Sequence, residues 1–314
     1  MSSIFWLPLH RLTAIALLVL GMLVSTDRTA AADVLPVVAS FSILGDLTQQ
    51  VGGDRVQVYT LVGPGADAHV YQPTPSDART LSQARLVIVN GLGFEGWIGR
   101  LIKSSGYPGP LVVASQGVHA LRQPRAHAGK HADPHQPTGD LDPHAWQDLA
   151  NARRYVANIA AALGEADPAN RSVYQANAAR LDQAMATLDG EIRATFSALP
   201  AERRKVVSSH DAFAYFGRAY GLRFIAPVGV STDAEPSAGE VGAIIRQIRQ
   251  EKIRAMFVEN ITDRRLLERI SRESGARIGG TLYSDSLTKP GSAADSYLGM
   301  MRQNAKALAA ALTD

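Results

Sequence analysis

Short apolar runs rich in β-branched residues alternate along the chain with stretches whose apolar positions recur at helical spacing. The apolar runs predict eight strands, at residues 35–40, 56–62, 86–90, 111–115, 205–209, 223–228, 255–259 and 277–282. Helical stretches such as 77–83, 239–251 and 263–274 lie between them. Most of the strands are too apolar to be half solvated, as expected for parallel strands covered on both faces. The pattern therefore predicts an α/β protein with two lobes, each a parallel β-sheet flanked by helices.

One long helix is predicted between the two groups of four strands. Asp167 suits its N-cap and Pro168 its first turn, and an apolar stripe follows at helical spacing: Leu181, Met185, Leu188, Ile192 and Phe196. A helix of about thirty residues would span roughly 45 Å, which makes a stiff connection. We expect an N-terminal lobe over residues 33–166, the linking helix over 167–199 and a C-terminal lobe over 200–314.

Residues 1–32 have the pattern of a secretory signal peptide. Arg11 precedes the apolar run 12–24, and small residues lead up to Ala32, after which we expect cleavage. The apolar run is shorter than the roughly 20 residues of a membrane-spanning helix. We therefore expect an exported protein that works in the periplasm.

Composition narrows the classes of protein further. The chain contains no cysteine, so we expect neither disulfides nor thiolate metal ligands nor a lipid-anchored mature end. Its 32 basic and 29 acidic residues nearly balance, and this balance argues against nucleic acid as a partner.

Residues 118–140 form a segment of biased composition. The segment is rich in His, Pro, Gly, Ala and charged residues and has almost no apolar residues to bury, so we predict a mobile loop. Its histidines are His119, His127, His131 and His135. Such surroundings do not hold imidazoles in fixed positions. Two interpretations stay open: a weak site that collects metal, or a solvated loop without a metal role.

The segment 91–96, GLGFEG, matches the glycine pattern of dinucleotide-binding proteins. Such a site also needs a carboxylate about 20 residues further on, at the end of the next strand. The next predicted strand ends in Ala114-Ser115-Gln116, without a carboxylate. We therefore interpret the segment as a glycine-rich turn between a strand and a helix.

Three histidines and one aspartate stand at positions where α/β proteins place ligand sites. His69 follows the second predicted strand, His210 the fifth and Asp285 the eighth, while His144 follows the loop. Each residue alone is ordinary, because a lone histidine is often structural and Asp285 could cap a helix. Together, three imidazoles and one carboxylate make a donor set suited to zinc, at the carboxyl ends of strands where open sheets bind ligands.

Six short motifs are informative when they are taken together. They are FSILGD at 41–46, residues 65–77 with HVYQP at 69–73, NGLGFE at 90–95, LDPHAW at 141–146, SHDAF at 209–213 and YSD at 283–285. With these motifs the chain resembles the metal-specific solute-binding proteins of ABC importers that deliver zinc or manganese, over essentially its mature length. The resemblance implies two lobes joined by a rigid helix. It also implies a metal ion bound in the cleft by His69, His144, His210 and Asp285.

The resemblance further implies a function. In that family, His at the third ligand position is typical of zinc carriers and Glu of manganese carriers, so His210 favours Zn²⁺ as the transported ligand, with Mn²⁺ as the alternative. We expect a monomer that captures zinc and delivers it to an ABC permease in the inner membrane. A periplasmic zinc chaperone is a further partner that the resemblance allows. Asp211 and Glu259 are candidates to orient the imidazoles.

Two alternative functions stay open. The first is manganese or iron transport by the same class of protein, because a site of nitrogen and oxygen donors accepts several divalent ions. The second is a zinc-dependent hydrolase, since histidine-rich sites can activate water. The hydrolase is disfavoured, because four protein ligands would close the coordination position that it needs and the sequence lacks an HExxH helix.

Overall fold

The computed structural model describes Ser2 and residues 34–122 and 141–313. The predicted signal peptide, apart from Ser2, lies outside the described residues, as do His127, His131 and His135. None of the helices within the described ranges combines the length and the apolarity that crossing a bilayer requires.

Two four-stranded sheets are described, and every strand pair in both of them is parallel. The strands are β1 (Leu35–Phe41), β2 (Val56–Val62), β3 (Leu86–Val89), β4 (Leu111–Val113), β5 (Lys205–Val207), β6 (Arg223–Ile225), β7 (Ala255–Glu259) and β8 (Arg277–Leu282). The first sheet has the order β2-β1-β3-β4 and the second β6-β5-β7-β8. In each sheet the strand that comes first along the chain, β1 or β5, lies in an inner position, and the later strands are added on both sides of it. This reversal of direction opens a crevice at the carboxyl ends of the strands. The predicted fold class is confirmed.

Helices cover both faces of the sheets. Those described are α1 (Ser42–Gly52), α2 (Pro75–Ser82), α3 (Ile98–Ser105), α4 (Leu149–Ala166), α5 (Arg171–Ser197), α6 (Ala214–Tyr220), α7 (Ala238–Glu251), α8 (Arg265–Ser274) and α9 (Tyr297–Thr313). Capping boxes define two of their starts. Thr74 exchanges hydrogen bonds with Asp77 at the start of α2, and Ser237 does so with Glu240 at the start of α7.

Several strands end earlier than predicted, and local chemistry explains where they stop. The backbone N–H of Asn90 donates to the Glu95 carboxylate instead of to a neighbouring strand, so β3 ends at Val89. Pro227 has no N–H to donate, and β6 already ends at Ile225. The polar residues that follow these strands therefore belong to turns at the sheet edge.

The long helix α5 begins later than predicted. Asp167 caps a 3-10 turn, Pro168–Asn170, and the α-helix itself runs over the 27 residues from Arg171 to Ser197. At 1.5 Å per residue this is about 40 Å. Its buried face contains the predicted apolar stripe, extended by Tyr174 and Ala178. Because this face is buried along the whole helix, α5 connects the two sheets as a packed element.

The hydrophobic core runs through both lobes. Its main cluster extends from the first sheet over α4 and α5 to Phe213 and Phe216 beside the second sheet. A smaller cluster, which includes Val207, Ile245 and Ile270, fills the other face of the second sheet beneath α7 and α8. The strand ends that carry the candidate ligands are therefore anchored in well-packed layers.

Candidate metal centre

The four candidate ligands come together although they are far apart in the sequence. His69 follows β2, His144 precedes the 3-10 turn Ala145–Gln147, His210 follows β5 and Asp285 follows β8. One possible ligand atom from each residue lies within 4.8 Å of the corresponding atoms of the other three. This arrangement of three imidazoles and one carboxylate can hold a metal ion.

The ring Nε2 atoms converge on the Asp285 carboxylate. The Nε2 atoms of His69 and His210 each lie 3.2 Å from Asp285 Oδ2, and His144 Nε2 lies 3.5 Å from Oδ1. The Nε2 atoms of His69 and His144 are 3.3 Å apart. Three nitrogens and one oxygen directed at the same small volume suit a four-coordinate divalent cation.

The cluster is almost sealed from solvent. The side chains of His144, His210 and Asp285 are fully buried, and that of His69 is 5% exposed. Both oxygens of Asp285 are buried and have no well-aligned hydrogen-bond donor among the described residues. A buried carboxylate needs a cation or hydrogen-bond donors, so the position of Asp285 among the three rings fits the role of a metal ligand.

Nearby carboxylates hold two of the rings in their charged form. Burial disfavours a charged ring at His144, but Asp285 and Asp142 outweigh burial and raise the pKa to about 9. Burial likewise opposes a charged His210, yet Glu259 and Asp285 raise its pKa well above the usual value. A metal ion that binds Nε2 of these rings must therefore displace protons.

The other two ligands are shifted in the direction that favours binding. Burial lowers the pKa of His69, which keeps this ring neutral and its lone pair available. Burial alone would raise the pKa of Asp285, but the charges of His144 and His210 outweigh it and hold that pKa well below its usual range. The carboxylate is thus ionised and can offset part of the charge of a cation.

A carboxylate two residues upstream orients His144. Asp142 Oδ1 accepts from the backbone N–H of His144 at 2.9 Å and lies 2.8 Å from its ring Nδ1. The contact fixes Nδ1 as the protonated nitrogen and leaves Nε2 for the metal. The Trp146 ring packs against the imidazole at a centroid distance of 5.3 Å. No role was predicted for Asp142, although the Asp-Pro-His spacing was a usable signal.

Glu259 contacts His210 from the neighbouring strand. It is the last residue of β7, which pairs with β5, and its Oε2 lies 2.5 Å from His210 Nδ1. Its Oε1 accepts from the backbone N–H of His210 at 2.9 Å. The structure thus places Glu259 beside the His210 ring, and its role in orienting this imidazole stays a prediction. Asp211 is half-buried, and its backbone N–H donates to the Gly229 carbonyl; its role in orienting an imidazole stays a prediction.

The glycine-rich turn 91–96 places an aromatic side chain beside the ligand histidines of the first lobe. Positive φ angles at Gly91 and Gly93 let the chain reverse tightly, and the buried Glu95 accepts from the N–H groups of Asn90 and Gly91. The turn directs Phe94 against His69, with 4.7 Å between ring centroids. The interpretation of this segment as a strand-to-helix turn agrees with the structure, but its contribution to the site was not predicted.

The segment that carries Asp285 is bonded to the first lobe on both sides. Upstream, the Ser284 carbonyl accepts from Trp146 Nε1 at 2.9 Å and from Gln147 Nε2 at 2.7 Å. Downstream, the Leu287 N–H donates to Ser42 Oγ at 2.9 Å. Asp285 is therefore flanked on both sides by hydrogen bonds to the first lobe, although the strand that precedes it lies in the second lobe.

His119 is the one loop histidine within the described residues, and it lies outside the cluster. It is exposed, and the described groups that could hold a metal ion do not include it. The weak loop site stays a prediction.

The two parallel-sheet lobes, the long linking helix and the buried His/Asp cluster in the cleft define a class: the metal-binding solute-binding proteins of ABC transporters. The sequence pattern of the family described as zinc-uptake complex component A, periplasmic (ZnuA) matches residues 37–311. The chain belongs to this family. It is accordingly a binding component that works with a membrane permease, and it is not an enzyme, which removes the hydrolase alternative.

Relatives carry different metals in their names. The chain is 32% identical over 293 residues to the manganese ABC transporter substrate-binding lipoprotein PsaA of Streptococcus pneumoniae, across 91% of this chain and 92% of PsaA. It is 33% identical over 270 residues to the manganese-binding lipoprotein MntA of Halalkalibacterium halodurans, across 86% of each. Among solved structures, the periplasmic zinc binding protein TroA from Treponema pallidum is similar with a TM-score of 0.79 at 28% identity, covering 88% of this chain and 99% of TroA.

Proposed function

We propose that the protein captures Zn²⁺ in the periplasm with high affinity and delivers it to the membrane permease of an ABC importer. The observation that carries the proposal is the convergence of three imidazole nitrogens and one carboxylate within 4.8 Å. In this proposal His69, His144, His210 and Asp285 are the four ligands. We infer that the protein is exported through its predicted signal peptide and acts as a monomer; a zinc chaperone stays a prediction.

The donor set supports zinc over manganese. Zinc is borderline-soft and prefers imidazole, whereas manganese prefers carboxylate and water oxygens and a higher coordination number. The fully buried His210 supplies a nitrogen where a carboxylate would suit manganese better. Manganese is the second candidate, because relatives at 32% and 33% identity are named for it.

Metal content of the purified protein tests the proposal. Protein prepared without chelator should contain a single tightly bound zinc ion per chain, and excess manganese should not displace it in a competition titration. The exposed His119 offers a matched control, because His119→Ala should leave the tight site unchanged. Manganese as the bound ion, with zinc unable to compete, would replace the zinc proposal by the manganese one. Protein that binds neither ion would reject both.

Zinc binding is expected to release protons at neutral pH. An unperturbed imidazole loses its proton near pH 6.5, which would confine the loss of zinc affinity to mildly acidic solution. Here the pKa of His144 is raised to about 9 and that of His210 is raised as well, so both rings carry a proton in the metal-free protein at pH 7. Because zinc must displace these protons, its affinity should fall as the pH drops below about 9, with about two protons released per zinc at pH 7.

Calorimetry in buffers of different ionisation enthalpy measures this proton number. Asp142→Asn removes one of the carboxylates that keep His144 protonated, so this variant should release fewer protons per zinc at pH 7. Zinc affinity that stays constant between pH 7 and 9, with no proton release, would show that the rings are already neutral.

A further inference from the structure

Asp67 occupies a place in the first lobe equivalent to that of Asp142. Each aspartate stands two residues before a ligand histidine, and each accepts a hydrogen bond from that histidine's backbone N–H at 2.9 Å. Their remaining contacts differ. Asp142 turns to the imidazole of its own histidine, whereas Asp67 Oδ2 accepts from the hydroxyl of Thr232 at 2.5 Å.

The bond between Asp67 and Thr232 crosses from one lobe to the other. Thr232 lies 165 residues further along the chain, in the segment between β6 and α7 of the second lobe. Both partners are half-buried. Asp67 is bonded to the N–H of His69, which is the only one of the four ligands whose side chain keeps any exposure. The bond is therefore linked, through Asp67, to the ligand whose side chain reaches solvent.

Two of the other bonds between the lobes lie deeper. Ser42 Oγ accepts from Leu287 N–H, and Trp146 Nε1 donates to the Ser284 carbonyl, both between buried groups. These bonds hold the base of the cleft on either side of Asp285. The contact between Asp67 and Thr232 instead borders a cavity of about 440 Å³, which Ser209, the neighbour of His210, also lines. When the lobes separate, water in this cavity can form hydrogen bonds with both Asp67 and Thr232, so the contact can open and close reversibly.

We propose that the hydrogen bond from Thr232 to Asp67 is a latch across the mouth of the cleft that slows release of the bound metal. The proposal rests on the proposed function of metal capture. Asp67 acts as a positioning residue: one carboxylate oxygen holds the backbone of His69 and the other holds the second lobe. Closure of the lobes thereby fixes His69, and separation of the lobes frees it.

Release kinetics test the latch. Protein loaded with Zn²⁺ is mixed with excess EDTA in a stopped-flow instrument, and zinc association is measured separately. Thr232→Val removes the hydroxyl at nearly constant shape and should speed release about tenfold, which corresponds to roughly 1.4 kcal/mol. Association should change little, because the latch forms only after the lobes close. Thr232→Ser, which keeps the hydroxyl, should release zinc about as slowly as the wild type.

Two comparisons separate the latch from a general loosening of the segment. Ser231→Ala removes the neighbouring hydroxyl, which accepts a local bond from the backbone N–H of Asp233, and should leave release near the wild-type rate. In an Asp67→Ala background, Thr232→Val should have no further effect, because its partner is gone. Equal rates for Thr232→Val and Ser231→Ala, or an effect of Thr232→Val that persists without Asp67, would overturn the proposal.

Hydrogen exchange of the metal-free protein keeps the latch testable apart from zinc binding. The amide of His69 donates to the carboxylate that Thr232 holds. Thr232→Val should therefore speed exchange in peptides that cover residues 64–72, and Ser231→Ala should not. Wild-type protein that failed to bind zinc would reject the proposed function while these exchange rates still decided the latch. Unchanged exchange in Thr232→Val would reject the latch itself.

Discussion

Replacing His69 with alanine is expected to weaken zinc binding roughly a hundred- to a thousandfold, if a four-ligand site worth about 10–16 kcal/mol shares its free energy among the ligands. His69 is the best first choice among the four. It is the ligand nearest to solvent, with its side chain 5% exposed, so water can occupy the space that the smaller side chain leaves. Among the described residues, no buried carboxylate outside the ligand set pairs with its ring as Asp142 and Glu259 do with theirs, so the substitution leaves no such partner behind.

His119→Ala is the matched control for this experiment. It removes the same imidazole from an exposed position outside the cluster and should leave the affinity of the tight site unchanged. Zinc affinity is measured by competition with a chelator, and circular dichroism of the metal-free variants checks that both remain folded. If His69→Ala bound zinc as tightly as His119→Ala, His69 would not be a ligand.

Much of the fold could be predicted because the spacing of apolar residues along the chain directly reflects which residues are buried. The strand runs are apolar on both faces only where helices cover both faces of a parallel sheet, and the stripe from Leu181 to Phe196 can be buried only as a helix. The exact ends were less predictable. Whether β3 stops at Val89 depends on Glu95, which captures the next N–H group, and this interaction exists only once the turn has formed.

The ligand positions could also be named before their convergence could be known. Strand ends and motif resemblance indicated His69 and Asp285, but no spacing in the sequence fixes a distance between residues more than two hundred positions apart. The residues that contact the imidazole rings were harder still to predict. Glu259 was named as a candidate to orient an imidazole, whereas the cross-lobe bond of Asp67 depends on a loop whose path no pattern predicts.

Replacing His210 with glutamate is expected to shift metal preference only when Glu259 changes with it. A carboxylate at position 210 would bring a hard oxygen donor into the set, which favours manganese over zinc. However, Glu259 Oε2 lies 2.5 Å from the present imidazole Nδ1, so the new carboxylate would face an existing one in a fully buried site. Like charges at such distances cannot both stay ionised, and one of the groups would take up a proton.

The single variant His210→Glu should therefore lose most of its zinc affinity without gaining manganese affinity. Adding Glu259→Gln should correct this, because the amide oxygen can still accept from the N–H of residue 210 while the amide nitrogen donates to the new carboxylate. Glu259→Gln alone serves as the control. It keeps the imidazole but loses the negative charge beside Nδ1, and should weaken zinc binding by roughly 10- to 100-fold without favouring manganese.

Competition titrations with zinc and manganese on the wild type and the three variants decide between the outcomes. We expect the ratio of zinc to manganese affinity to fall furthest in the double variant, since only there does an ionised oxygen donor replace the nitrogen donor. Equal ratios in the single and double variants would mean that Glu259 does not control the charge of the residue at position 210. A ratio that matched the wild type in both would remove His210 from the ligand set, and with it the main reason for assigning this site to zinc.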